Sequence, residues 1–411
     1  MAEEKYKMGI EEQIRAKAAE YSDYTAKNLS KMVQVKSYSG QEEGVCRLIV
    51  DLCKEANFDE VYIDDLGSVI GRVGNGPKSI AFDAHIDTVE VGNMKNWDFD
   101  PFSGEIVDGL VKGRGTSDQE GGAASMITAG RILKELGYDK EYTCYFTFTV
   151  MEEDCDGMCW KYLIEEENFK PDLVVSTEPT TCQLYRGHRG RMEIRIILRG
   201  ISCHGSAPER GVSASYKASR AALAIEQLNK DLQPDEDNFL GKGTITVSQM
   251  DVRGPSQCAV TDYAMLYCDR RLTWGEDADL AISQVTEYVC KATGDKPEDI
   301  VVEMPNYEKT GWTKKEYSQE LYFPTWKIPE DSMLVQAGVR AHKALFGKAP
   351  TVDKWTFSTN CVATTGRHKI PAIGFGPGDE NQAHAPNEIT RVKDLEICAA
   401  FYAMLPYSLS K

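Results

Sequence analysis

The sequence predicts an α/β fold: a mostly parallel sheet, covered by helices on both faces, interrupted by a smaller α+β insert. Three observations carry this expectation. Short apolar runs alternate with helical periodicity up to about residue 185, which is the pattern of a buried parallel sheet. Beyond Tyr185 the pattern changes to strict apolar–polar alternation, which suits a sheet with one wet face. A chain of 411 residues also exceeds what one core usually organises.

Residues 10–35 and 42–57 read as helices, the second through the spacing of Val45, Leu48, Ile49 and Leu52. Residues 79–83 (SIAFD) form a short apolar run fit for a buried strand, which leads into Asp83-Ala-His85-Ile-Asp87. A helix is expected over 121–136. A β-branched and aromatic strand follows over 142–151, ending at a Glu-Glu-Asp turn, and Leu173–Ser176 forms another strand before Glu178-Pro179. In the insert, residues 191–199 alternate Met192, Ile194, Ile196 and Leu198 with polar residues. That strand offers an edge for pairing with a second subunit. A helix over 212–230, strands over 244–249 and 262–269, and a helix over 277–293 complete a β-α-β-β-α unit. A polar, aromatic stretch over 305–329 leads back to a helix over 332–346 and a strand near 371–375. The expected boundaries are 1–187 and 304–411 for the two parts of the main domain, and 188–303 for the insert.

A formal net charge of −17 argues against nucleic acid, because phosphate binding needs a basic face. The N-terminal stretch is charged throughout and has no apolar core, so no export signal is expected, and no apolar run is long enough for a bilayer. Twelve irregularly spaced cysteines then read as reduced thiols in a cytoplasmic protein. Cys155 and Cys159 form a CxxxC pair beside an acidic motif, but the spacing and the missing partner cysteines argue for buried, idle thiols.

The informative residues are acids and histidines at the expected strand ends, where sites form in open α/β sheets. His85 and Asp87 follow one strand, Glu152 and Glu153 a second, and Glu178 a third. Asp118 sits in a glycine-rich turn that opens a helix, and His384 lies in a turn-rich segment after the last strand. Such a set either gathers unpaired acid at one edge or binds cations there, and carboxylates that converge repel unless a cation neutralises them. Mixed histidine and carboxylate ligands suit zinc, with cobalt or manganese as alternatives. Two ions about 3.5–4 Å apart would share a bridging carboxylate. Of the adjacent Glu152 and Glu153, one can ligate while its neighbour stays free as a base.

Seven motifs resemble the M20 metallopeptidase family of aminoacylases, desuccinylases, acetylornithine deacetylases and carboxypeptidases. They are AHIDTV (84–89), GRGTSDQEGG (113–122), MEED (151–154), STEPT (176–180), SCHGSAPERG (202–211), CDRRL (268–272) and AHAPNE (383–388). The resemblance implies a catalytic domain with an inserted lid or dimerisation domain, a homodimer, and two divalent ions. It makes His85, Asp118 and Glu178 the ligands of one ion and Asp118, Glu153 and His384 those of the other. Asp87 would orient His85 through a hydrogen bond that fixes its tautomer. Glu152 would act as general base on a metal-bridging water, and His204 would reach across the dimer to polarise the scissile carbonyl. Arg271 would hold a substrate carboxylate, with the backbone of Gly376 and Gly378 close to the same anion.

Two segments depart from the family pattern. Gln257 or Cys258 falls where many members carry an asparagine, and Asn360, in FSTNCVATTG, stands near an expected aspartate in the substrate pocket. These features look closest to the selenium-metabolism-linked hydrolase branch. The implied activity is hydrolysis of an amide bond in an N-acyl amino acid or short peptide. Cleavage of a ureido or N-carbamoyl group is the alternative, and a non-catalytic metal-containing binding protein is the alternative of another class.

Overall fold

The computed structural model describes residues 8–138 and 140–410. An eight-stranded sheet forms the centre, in the order Glu60–Ile63, Val69–Val73, Tyr142–Thr149, Lys78–His85, Leu173–Ser176, Ala372–Gly374, Leu184–Tyr185, Val352–Asp353. The four middle strands run parallel to one another. They are buried on both faces, as their near-continuous apolar sequences require: every residue of Leu173–Ser176 and six of the eight in Lys78–His85 are enclosed. The antiparallel strands Glu60–Ile63 and Val69–Val73 were not evident in the sequence; the first alternates exposed and half-buried positions at the sheet edge.

Helix Glu120–Glu135 packs against Val392–Leu409, Ser22–Val33 and the strand Lys78–His85. The helix expected over 10–35 is two helices, Ile10–Glu20 and Ser22–Val33, broken at Tyr21. The polar stretch over 305–329 contains a hairpin of Asn306–Thr310 and Glu316–Glu320. No helix among the described residues is long and apolar enough to cross a membrane.

A second sheet has the order Thr244–Arg253, Tyr263–Leu272, Gly190–Arg199, Ile300–Glu303, with Tyr322–Phe323 also paired to Gly190–Arg199. Alternate residues point to opposite faces of a strand. Met192, Ile194, Ile196 and Leu198 meet Ala264, Leu266 and Cys268 in a core of their own, closed by helices Ala214–Asp231 and Ala278–Thr293. The other face carries Arg191, Glu193 and Arg195 beside Arg271, Asp269 and Tyr267. One expectation is corrected here. Gly190–Arg199 is an interior strand, paired on both sides, and the open edge belongs to Thr244–Arg253. The cause is Ile300–Glu303, which returns to cover the side that the sequence left free.

Candidate metal centre

Because the four central strands are parallel, their carboxyl ends lie at one edge of the sheet, and the chemistry collects there. His85 is the last residue of its strand; Glu152 follows Thr149 by three positions, and Glu178 follows Ser176 by two. Asp118 lies just before helix Glu120–Glu135, and His384 in the loop that follows Ala372–Gly374. The donor atoms of His85, Asp118 and Glu178 lie within 4.8 Å of one another, as do those of Asp118, Glu153 and His384. His85 Nε2 is 2.9 Å from Asp118 Oδ1 and 3.7 Å from Glu178 Oε1. His384 Nε2 is 2.8 Å from Glu153 Oε2 and 3.6 Å from Asp118 Oδ2. Asp118 therefore turns one oxygen to each histidine.

These separations fit divalent ions: zinc ligands at about 2.0–2.2 Å in tetrahedral array stand roughly 3.3–3.6 Å apart. A second observation agrees. Glu153 Oε1 and Glu178 Oε2 are buried and have no hydrogen-bond partner, and neither has Oε1 of Glu152. Orphaned carboxylate oxygens are costly unless a proton or a cation satisfies them. In this setting burial pushes the Glu152 and Glu178 carboxyls well above the usual carboxylate range, with neighbouring acids adding to it. Burial and the Asp118 charge push Glu153 up to about 7. Burial opposes a charged His85, but Glu152, Asp118 and Glu178 outweigh it and raise the imidazole well above its ordinary value.

Glu152 belongs to neither triad. Its Oε2 is 3.8 Å from His85 Nε2, and it faces the same cleft, of about 290 Å³, as all five triad residues. The turn that separates it from Glu153 is held by Asp87, whose carboxylate accepts the Glu152 amide and the Glu153 amide, each at 3.1 Å, and the Ser39 hydroxyl at 2.6 Å. The hydrogen bond that orients His85 comes from Asp87, through its main chain. Its Nδ1 is 2.8 Å from the main-chain carbonyl of Asp87 and 3.6 Å from the nearest carboxylate oxygen. With the Nδ1 proton donated to that carbonyl, Nε2 is left as the ligand atom.

Glu388 is a residue the sequence reading passed over. It is fully buried and accepts from Arg114 Nη1 at 2.7 Å and from the amides of Gly115, Ser117 and Asp118 at 3.1, 2.8 and 3.0 Å. The motif AHAPNE therefore contributes its histidine to the cluster and its glutamate to the turn that carries Asp118. No composition signal marks it, because an acid in a polar loop is usually solvated.

The remaining candidates are dispersed. Arg271 lines the cleft, beside Arg191, Asp156, Ser358 and Glu380. Asn360 does not reach it: the amide donates to Asp83 and Thr149 at 3.0 Å each and accepts from the Gly157 amide at 2.9 Å, so this side chain is spent in the core. The Gly376 amide is taken by the Thr180 hydroxyl at 3.0 Å, and an added Cβ would meet the Thr177 carbonyl at 2.0 Å; Gly378 packs against Ser117. Both glycines shape the loop from behind and do not line the cleft. His204 is exposed and lies in a separate depression with Gln257 and Cys258, its Nδ1 2.7 Å from the Ser206 hydroxyl. Cys155 and Cys159 are buried thiols, engaged by Gln319 and Asn360 respectively, and belong to neither triad.

Comparison with known proteins places the chain among relatives. The chain is 52% identical over 397 residues to the uncharacterized protein YgeY of Escherichia coli K12, covering 96% of each chain. It is 28% identical over 191 residues to a probable succinyl-diaminopimelate desuccinylase of Staphylococcus epidermidis, covering 45% of this chain and 47% of that one. The fold matches the crystal structure of aminopeptidase PepT from Bacillus cereus with a TM-score of 0.73 at 22% identity, over 95% of this chain and 99% of that one. Residues 81–407 match the model of peptidase family M20/M25/M40. The chain belongs to that family and is a hydrolase of amide bonds.

Proposed function

We propose that this protein hydrolyses the amide bond of an N-acyl amino acid or short peptide with two divalent ions, zinc by the character of its donors. The observation that carries the reading is the Asp118 carboxylate, shared between two histidine-containing triads with Glu152 unengaged beside them. His85, Asp118 and Glu178 would hold one ion, and Asp118, Glu153 and His384 the other. Bound there, the ions supply Lewis acidity and bring the pKa of water towards about 7. Glu152 takes the proton of the attacking water and returns it to the leaving nitrogen; a single carboxylate can do both within hydrogen-bond reach. Asp87 holds the turn that keeps Glu152 apart from Glu153.

His204 would polarise the scissile carbonyl from a second subunit. Support for a dimer comes from the insert, where the open edge of Thr244–Arg253 and the exposed Ile201, Tyr216 and Leu223 offer a surface for pairing. All twelve cysteines are free, which favours a reducing compartment and hence the cytoplasm.

The experiment is a panel of N-acyl amino acids, dipeptides and ureido acids on metal-reconstituted protein. Turnover of the acyl or peptidyl compounds is the expected result. Turnover confined to ureido acids would overturn the substrate assignment.

A further inference from the structure

Register places Arg191 on Gly190–Arg199 directly opposite Arg271 on Tyr263–Leu272, both on the face turned away from the insert's core. Both side chains line the cleft that contains the metal triads. Like charges directly opposed across a sheet destabilise it, so each guanidinium needs an anion. Arg271 has one: its Nε and Nη2 are bound to the two oxygens of Asp269 at 2.9 and 3.0 Å. That fork is closed.

Arg191 is different. Its guanidinium makes no hydrogen bond to any described residue, and its Nε is buried without a partner. The nearest acids, Asp156 at 3.5 Å and Glu193 at 4.0 Å, stand beyond good hydrogen-bonding distance. Each is anchored through its far oxygen, Asp156 Oδ2 by the Ser358 hydroxyl and Glu193 Oε2 by the Tyr267 hydroxyl, and turns only its near oxygen to Arg191 Nη2 as a loose ion pair. The ring of Phe323, 4.5 Å from the guanidinium carbon, supports the side chain from one side. The result is a supported cation with 21% of its side chain accessible, open donors, and an outlet into the cleft.

We propose that Arg191 is a specificity-determining residue whose free guanidinium edge takes a carboxylate of the amide substrate, while Arg271 is held as the structural partner of Asp269. The planar fork of an arginine matches a carboxylate with two parallel hydrogen bonds, which a lysine cannot reproduce. The proposal rests on the amide-hydrolase reading above, and its test separates the two.

The test is calorimetric binding of N-acetylmethionine and of its primary carboxamide to metal-reconstituted protein in a Glu152→Gln background, which suppresses turnover. Arg191→Met, Arg191→Lys and Arg271→Met are compared in that background. The acid is expected to bind roughly 10- to 100-fold more tightly than the amide, the range for a charge-assisted pair. Arg191→Met removes that preference and leaves binding of the amide unchanged, Arg191→Lys restores part of it, and Arg271→Met keeps it. A preference that persists in both Arg191 variants, equal binding of the two probes, or binding of neither contradicts the assignment. Hydrolysis of N-acetylmethionine by the chain with Glu152 intact is measured in parallel. Carboxylate-selective binding through Arg191 without turnover of the acyl panel would count against the amide-hydrolase reading and leave Arg191 in place.

Discussion

Glu152 and Glu153 are adjacent, yet their surroundings set them to different work. Glu153 is 2.8 Å from His384 and shares that neighbourhood with Asp118, whereas Glu152 reaches no histidine closer than 3.8 Å. A helix or strand would not hold both side chains towards one cleft; an irregular turn, with Met151 at a positive φ of 59° and its two following amides bound to Asp87, does. The expected consequence is that Glu152→Gln keeps fold and metal content while kcat falls about 100- to 10,000-fold, the usual contribution of a general base. Turnover and elemental analysis on the same preparation check it; a variant with near-normal kcat would remove Glu152 from the reaction. The residue types and their places at strand ends were legible in the sequence. What Asp87 does was legible only in part, because its carbonyl, an atom common to every residue, is the one that meets His85.

Among the elements, the parallel strands were legible because burial on both faces leaves short, unbroken apolar runs. The closing helix Val392–Leu409 was not, since it is apolar on nearly every side and shows no amphipathic stripe to mark it. The open edge of the insert was also misplaced, because the sequence does not reveal that Ile300–Glu303 returns beside Gly190–Arg199. The loop carrying Asp118 depends on a contact between distant segments: Glu388 binds Arg114 and three loop amides within the interior. Removing one partner of a buried ion pair costs about 3–5 kcal/mol, because the other charge is left uncompensated. Glu388→Ala is therefore expected to lower unfolding free energy by about that amount and to weaken metal retention. Denaturant titration with and without added metal measures both. Unchanged stability and metal content would mean that the loop is held by other contacts.

For the whole molecule, the acidic cleft sits at the edge of the large sheet while His204 lies in a separate depression on the insert. If His204 acts on the cleft of a second subunit, chains carrying His204→Ala and chains carrying Glu152→Gln complement one another. In a mixed dimer, one cleft then combines an intact Glu152 with an intact His204 from the other chain, while the second cleft has neither. Activity recovered after subunit exchange is the expected outcome. A stable mixed dimer with no recovery would place His204 outside the partner's site.

All of this rests on two cations in one cleft. The most direct measurement is elemental analysis of folded, metal-reconstituted protein after removal of loosely bound ions, with His85→Ala and His384→Ala alongside. Two divalent ions per chain are expected in the parent, with less in each variant, because each substitution deletes the single imidazole of one triad. A folded parent chain that retains no ion, or only one that both variants keep, would contradict the account.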